Sequence, residues 1–184
     1  MLAKDGVLNV PGTAVGGAKY ELVVGVYCLS LHTIRQGGCM KSRASIKGHP
    51  IHPMLVVFPI GLWVFSFVAD LFYVGTGNIV WSSVAYYAMA GGILGALAAA
   101  LPGMVDLFSI TTGQTRVIGL VHMSINLVVV VLFAINFWMR TSVEVPTAGL
   151  VWFSGLTIVL LSISGWLGGE LVFRHGVGVQ ENRR

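Results

Sequence analysis

Long apolar segments separated by short polar connections dominate the chain from residue 53 onward. A helix that crosses a bilayer needs about 20 mostly apolar residues. Four segments are long enough, namely residues 53–74, 81–104, 117–139 and 148–173. The connections carry Gly, Thr, Asn and Pro, which are typical of breaks between helices. The pattern therefore predicts an all-α fold, an integral membrane bundle of four transmembrane helices in up-and-down order.

The amino-acid composition excludes a water-soluble domain. Hydrophobic residues make up 55% of the chain and charged residues only 10%, whereas soluble domains carry about 25% charged residues. The net charge of +4 would also suit a nucleic-acid-binding protein, but the basic residues lie beside the apolar segments. Such flanks are typical of orientation signals and of contact with anionic lipid. We therefore expect the lipid bilayer as a partner, and no nucleic acid.

Basic residues are distributed unevenly between the two ends of the predicted bundle. From residue 40 onward, the end that carries both termini holds seven of them, and the opposite end holds only Arg140. The seven are Lys41, Arg43, Lys47, Arg116, Arg174, Arg183 and Arg184. Because short basic flanks stay on the cytoplasmic side of a membrane, both termini are expected to be cytoplasmic.

Residues 1–39 do not resemble the remainder of the chain. Their apolar stretch, residues 23–31, is too short for a span, and no small-residue cleavage site of a signal peptide follows it. We predict that translation starts at Met40 and that the preceding residues are a doubtful extension. The alternative is a genuine extension at the membrane surface. The bundle domain is expected to comprise residues 40–180, followed by a basic tail at residues 181–184.

Ionisable side chains gather at the end that carries the termini. His49 and His52 lie at the mouth of the first span, and His122 lies about 9 Å into the third span at 1.5 Å per residue. The others at this end are Asp106, Glu170, Arg174 and His175. Ionisable groups inside a membrane are costly and are usually functional.

Imidazoles on different helices of a bundle can hold a haem iron or a metal ion between them. We expect His52 and His122 to be the cofactor-binding ligands, with His175 or His49 as substitutes. As the alternative to a haem, a metal ion is expected to be held by the side chains of His52, His122, Asp106 and Glu170. Asp106 can alternatively orient the His122 imidazole through a hydrogen bond.

Each of these residues also has an ordinary structural interpretation. The interfacial His49 and His52 can simply be solvated, and His122 can bond to Asp106 or to a main-chain carbonyl. Glu170 can pair with the arginine one helical turn later. The cluster would then be a hydrogen-bond network that fixes the register of the helices.

The opposite end of the predicted bundle offers no comparable chemistry. Asp70 lies near Arg140 and Glu144 there and is expected to belong to a structural ion pair. Histidines are absent from that end, so at most one haem fits the chain, at the cytoplasmic end. The sequence also lacks the HExxH, Walker, GxSxG and Rossmann motifs. No enzymatic activity is assigned, and a metal-dependent enzyme is the least supported interpretation.

Several motifs resemble a bacterial membrane family called domain of unknown function 2231. They are Gly48-His49-Pro50-Ile51-His52-Pro53, Phe58-Pro59-Ile60-Gly61, Pro102-Gly103 with Asp106, His122 with Asn126, and Gly165-Trp166-Leu167-Gly168-Gly169-Glu170-Leu171 with Arg174-His175-Gly176-Val177-Gly178-Val179. The resemblance covers residues 44–180. It implies a multi-pass protein of the bacterial cytoplasmic (inner) membrane in which the His, Asp and Glu positions are signature positions. Some members are joined to Rieske-type iron–sulfur domains, which implies electron transfer, but this chain lacks the ligands of such a domain.

The sequence and the resemblance together predict an electron-transfer or accessory subunit with a His/Asp/Glu site for a b-type haem or a metal ion. A quinone or a membrane redox complex is the expected partner. The alternative is a non-catalytic scaffold whose polar cluster is structural. Glycine pairs spaced four apart, Gly91 with Gly95 and Gly165 with Gly169, are compatible with close helix packing within one bundle or in a homo-oligomer.

Overall fold

The computed structural model describes residues 40–111 and 113–179, so the predictions for residues 1–39 and for the tail at 181–184 lie outside it. The elements are β1 (Ser45–Ile46), β2 (His49–Pro50), α1 (Ile51–Leu55), α2 (Val57–Thr76), α3 (Ile79–Ser109), α4 (Gly113–Arg140) and α5 (Ala148–Phe173). Four helical segments are long and apolar enough to cross a membrane, namely α1 with α2, then α3, α4 and α5. This confirms the all-α fold with four membrane spans.

The first span is divided at Val56. Pro59 has no N–H to donate to the carbonyl of Leu55, four residues earlier, and its ring crowds that carbonyl. α1 accordingly ends at Leu55 and α2 begins at Val57. The span begins at Ile51 rather than at the predicted residue 53, because the proline-containing segment after β2 is already helical.

The second span is longer than predicted. Gly77 ends α2 with a left-handed φ of 67°, a conformation that glycine adopts without steric cost. The Asn78 side chain then caps α3 by accepting a hydrogen bond of 3.0 Å from the Val80 amide. α3 continues through Pro102 to Ser109, whereas the apolar pattern ended at residue 104. Asp106 therefore lies within the last turns of α3.

An apolar layer joins all four spans in the middle of the bundle. Trp63 of α2 stacks on Phe133 of α4 with ring centroids 4.4 Å apart. Met89, Val129 and Leu161 complete the buried cluster around this pair. The Trp63 indole N–H has no acceptor in the described part of the chain. Large apolar side chains elsewhere on the spans are exposed, as expected of surfaces that face lipid.

The two glycine pairs differ in what they contact. A Cβ built at Gly91 would lie 3.2 Å from Leu62, and one at Gly95 would lie 3.2 Å from Pro59. This pair therefore allows α2 and α3 to pack closely. A Cβ at Gly165 would meet nothing within 4 Å in the structure, so the second pair does not mark a comparable contact within the bundle.

Both ends of the described chain meet at one end of the bundle. The Met40 amide donates to the Gly176 carbonyl at 3.1 Å, and the Gly178 amide donates to the Met40 carbonyl at 2.7 Å. We call this the terminal end, and we call the end with the α2–α3 and α4–α5 connections the loop end. Which end faces the cytoplasm stays a prediction from the basic residues.

Candidate functional site

His52 is held between α1 and α3 at the terminal end. Its Nδ1 lies 2.8 Å from the main-chain carbonyl of Ala99. Because a carbonyl only accepts hydrogen bonds, Nδ1 carries the proton and donates. The ring lies against Gly103, where an added Cβ would come within 2.7 Å of Nδ1. Nε2 of His52 has no hydrogen-bond partner among the described residues and is left with its lone pair.

His122 is held in the same way between α4 and α5. Its Nδ1 donates to the main-chain carbonyl of Ser164 at 2.9 Å, and the Ser164 hydroxyl lies 3.1 Å from the same nitrogen. The Asn126 amide donates to Nε2 at 3.1 Å. The ring packs against Gly168, where an added Cβ would lie 3.1 Å from Cε1. The predicted alternative of a bond to a main-chain carbonyl is therefore observed.

The two imidazoles have the same hydrogen-bonding pattern. In both rings a main-chain carbonyl fixes the proton on Nδ1, so both Nε2 atoms are acceptors. Histidines that bind metals almost always donate their other ring N–H to a carbonyl or carboxylate in this way. The pair can bind an electrophilic centre or accept a proton.

The Asp106 carboxylate has other partners than His122, in contrast to the expectation that it orients the His122 imidazole. The carboxylate accepts hydrogen bonds of 2.8 Å and 2.9 Å from the Ser42 hydroxyl and one of 3.0 Å from the Ala44 amide. The reason is that α3 extends beyond Pro102, which places Asp106 beside the segment that precedes the first span. Asp106 therefore anchors residues 40–50 to the end of α3.

We expect the substitution Asp106→Ala to loosen residues 40–50. A hydrogen bond to a charged group contributes about 1.5–3 kcal/mol, and about 1.4 kcal/mol changes an equilibrium tenfold. Limited trypsin digestion of the detergent-purified protein should cut after Lys41, Arg43 and Lys47 at least about tenfold faster. Mass spectrometry of the fragments measures this rate. Glu144→Gln, which removes a carboxylate at the loop end, is the control, and equal rates in the two variants would contradict the anchoring role.

The other candidate ligands have separate partners or are exposed. His175 lies 2.9 Å from the Thr115 hydroxyl through Nδ1. Glu170 forms the predicted ion pair with Arg174 at 2.8 Å, one turn along α5. His49 is exposed to solvent in β2.

The four side chains proposed for a metal are not seen to form one site. Within residues 40–111 and 113–179, no group of three or more His, Cys, Asp and Glu side chains could hold a metal ion. Asp106 and Glu170 are engaged with Ser42 and Arg174 instead. Among the described residues, His52 and His122 remain as the two imidazoles whose Nδ1 donates to a main-chain carbonyl.

A second buried polar cluster lies at the loop end. Arg140 donates two hydrogen bonds of 2.7 Å and 2.6 Å to the carboxylate of Asp70. The two side chains are only 3% and 0% exposed. Asn136 accepts a hydrogen bond from Arg140 Nε at 3.0 Å and donates to the Ser154 hydroxyl at 2.9 Å. The cluster links α2, α4 and α5, and the expected structural ion pair is Asp70 with Arg140, without Glu144.

Some residues of these clusters were not anticipated from the sequence. Asn136 stands four residues before Arg140, so the spacing places both on one helix face and indicates their contact. Ser42, Ser154 and Ser164 had no such signal, because a serine in a membrane helix commonly bonds its own main chain. Their partners depend on which helices meet, and the sequence pattern does not specify that.

The whole membrane domain has a counterpart among known families. Residues 48–181 match a family described as "Predicted membrane protein (DUF2231)". No curated protein is significantly similar to the chain, and no solved structure is. The match covers both motif regions that hold His52 and His175.

Proposed function

The chain belongs to the DUF2231 family of predicted membrane proteins, and from that premise we propose that it is an electron-transfer or accessory subunit with a two-histidine haem site. His52 and His122 would hold the haem iron through Nε2. The observation that supports this most directly is the shared protonation pattern, in which a main-chain carbonyl holds the proton of each ring on Nδ1.

The number of available ligands favours a haem over a free metal ion. A structural or catalytic zinc ion needs three or four protein ligands, and no three-residue group of that kind is found in the described ranges. A haem iron takes four nitrogens from its own porphyrin and needs at most two side chains. His52 and His122 supply that number from different spans.

One contact of His122 has to change for this site to form. The Asn126 amide donates to Nε2 of His122 at 3.1 Å, and it also donates to the His122 carbonyl at 3.0 Å. Asn126 can keep the second bond when Nε2 is taken by an iron, but the other hydrogen of its amide then loses its acceptor and needs a new one. A bound haem would supply one-electron redox chemistry. The electrons would be exchanged with a quinone or a membrane redox partner.

Absorption spectra of the detergent-purified protein test this proposal. We expect a b-type haem band that sharpens on reduction with dithionite, and a loss of most of this band in His52→Ala and in His122→Ala. His49→Ala is the matched control, because His49 is exposed in β2, and it should keep the band. A featureless visible spectrum of protein made in haem-replete cells would refute the haem site.

The scaffold alternative is favoured by a specific observation. The same two imidazoles join α1 to α3 and α4 to α5 through hydrogen bonds to main-chain carbonyls. If the protein is colourless and both variants unfold at lower temperature than His49→Ala, the histidines are structural links between helices. A metal ion with ligands from a partner subunit would instead raise the unfolding temperature of the wild type and not that of the variants.

A further inference from the structure

A cavity of about 320 Å³ opens at the loop end, on the far side of the apolar layer from the histidines. It lies between the start of α3 and the connection from α4 to α5. The side chains on which its chemistry depends are Ser82, Ser83, Tyr86, Tyr87, Arg140 and Glu144. Its volume is at the lower limit for small-molecule sites, which fits a headgroup rather than a whole cofactor.

Two buried polar side chains at this cavity have unused hydrogen-bonding capacity. A guanidinium has five N–H donors, and Arg140 uses one on Nε, one on Nη1 and two on Nη2. One Nη1 hydrogen therefore has no acceptor among the described residues. The Ser82 hydroxyl likewise has no hydrogen-bond partner in the described part of the chain. Arg140 is 5% exposed and Ser82 is 7% exposed, so an acceptor in the cavity would meet two donors that are largely shielded from solvent.

The charges around the cavity select the kind of ligand. Asp70 neutralises Arg140 through two hydrogen bonds, which leaves Glu144 as the uncompensated charge of the lining. Glu144 is exposed and has no ion-pair partner among the described residues. A simple anion would meet the donors of Arg140 and Ser82 but would be repelled by Glu144. A ligand that carries an oxyanion and an ammonium group satisfies both.

We propose that this cavity binds the zwitterionic headgroup of an aminophospholipid. The phosphate oxygens would accept hydrogen bonds from Arg140 and Ser82, and the ammonium would lie near Glu144. Tyr87, which is 71% exposed, offers an aromatic face for the same ammonium.

The position of the cavity favours a lipid over a free solute as the source of this headgroup. Trp81 and Trp152 stand in the first turns of α3 and α5, and Trp138 stands in the last turn of α4. Tryptophans concentrate at the headgroup level of a membrane. The cavity therefore lies where phosphate and ammonium groups are concentrated. A free phosphate ester of an amino alcohol has the same chemistry and must be separated by experiment.

Native mass spectrometry of the full-length protein in detergent tests the proposal with two lipids of matched chains. We expect more phosphatidylethanolamine than phosphatidylglycerol to stay bound to the wild type. Glu144→Gln should reduce this preference about three- to fivefold, the fold-change that corresponds to a surface ion pair of about 0.7–1 kcal/mol. Glu170→Gln makes the same charge change at the terminal end and should keep the preference. A second variant, Ser82→Ala, should lower retention of phosphatidylethanolamine without altering the unfolding temperature by more than a few degrees.

A competition experiment distinguishes a membrane lipid from a free solute as the source of the headgroup. Free O-phosphoethanolamine at millimolar concentration should displace the lipid only in part, because the acyl chains contribute to binding. Complete displacement would identify a soluble zwitterion as the ligand. Equal retention of both lipids by the wild type, or an unchanged preference in Glu144→Gln, would overturn the headgroup site.

Discussion

Asp70→Asn should destabilise the folded bundle by about 3–5 kcal/mol, because removal of one partner leaves the buried charge of the other uncompensated. Arg140 is only 3% exposed at its side chain and gives two of its hydrogen bonds to the Asp70 carboxylate. An asparagine can accept one of these bonds but carries no charge. The free energy of unfolding, measured by titration of detergent-purified protein with a denaturing detergent and monitored by tryptophan fluorescence, checks this value.

Two further variants make the test specific. Glu170→Gln breaks the ion pair with Arg174, whose side chain is 75% exposed, and should change the free energy of unfolding by about 0.5 kcal/mol or less. The double variant Asp70→Leu with Arg140→Met replaces the buried pair by apolar groups and should recover most of the lost stability. Equal effects of Asp70→Asn and Glu170→Gln would show that the buried pair does not hold the loop end together.

The four spans could be predicted from the sequence because lipid imposes a simple requirement on composition. Each span needs a long apolar segment, and a polar connection must separate it from the next one. The existence and the order of the helices therefore follow directly from the sequence pattern. The residues at which the helices begin and end were predicted less accurately. The predicted second span ended at residue 104, but α3 continues through Pro102 to Ser109, because one proline in a long helix removes a single main-chain hydrogen bond and the flanking turns hold.

The candidate site could be predicted only as a set of residues at one end. Spacing placed Glu170 and Arg174 one turn apart, and that contact is present. The partners of His52, His122 and Asp106 lie 47, 42 and 62–64 residues away in the chain. Such pairings depend on which helix faces meet, and an apolar surface that faces lipid looks the same in sequence as one that faces another helix.

Gly92 illustrates a packing constraint that the sequence pattern did not single out. A Cβ at this position would overlap the indole of Trp63, with Cε2 at 3.0 Å, and that indole is stacked on Phe133 with ring centroids 4.4 Å apart. The stacking limits how far the ring can move away from an added side chain. We expect Gly92→Val to destabilise the bundle by about 3 kcal/mol, the upper part of the range for overpacked cores, in the same fluorescence-monitored unfolding titration.

Gly165→Val is the matched control, since a Cβ there meets no described residue within 4 Å, and it should change the free energy of unfolding by about 0.5 kcal/mol or less. If Gly92 acts by making room for Trp63, the effects of substitutions at the two positions should be coupled. Trp63→Leu alone leaves a cavity and should cost about 3 kcal/mol or more, but in the Gly92→Val background the added methyl groups occupy part of that space. The double variant should therefore be more stable than the sum of the two single effects by about 1 kcal/mol or more. Strict additivity would mean that Gly92 matters for helix conformation rather than for the close approach of α3 to Trp63.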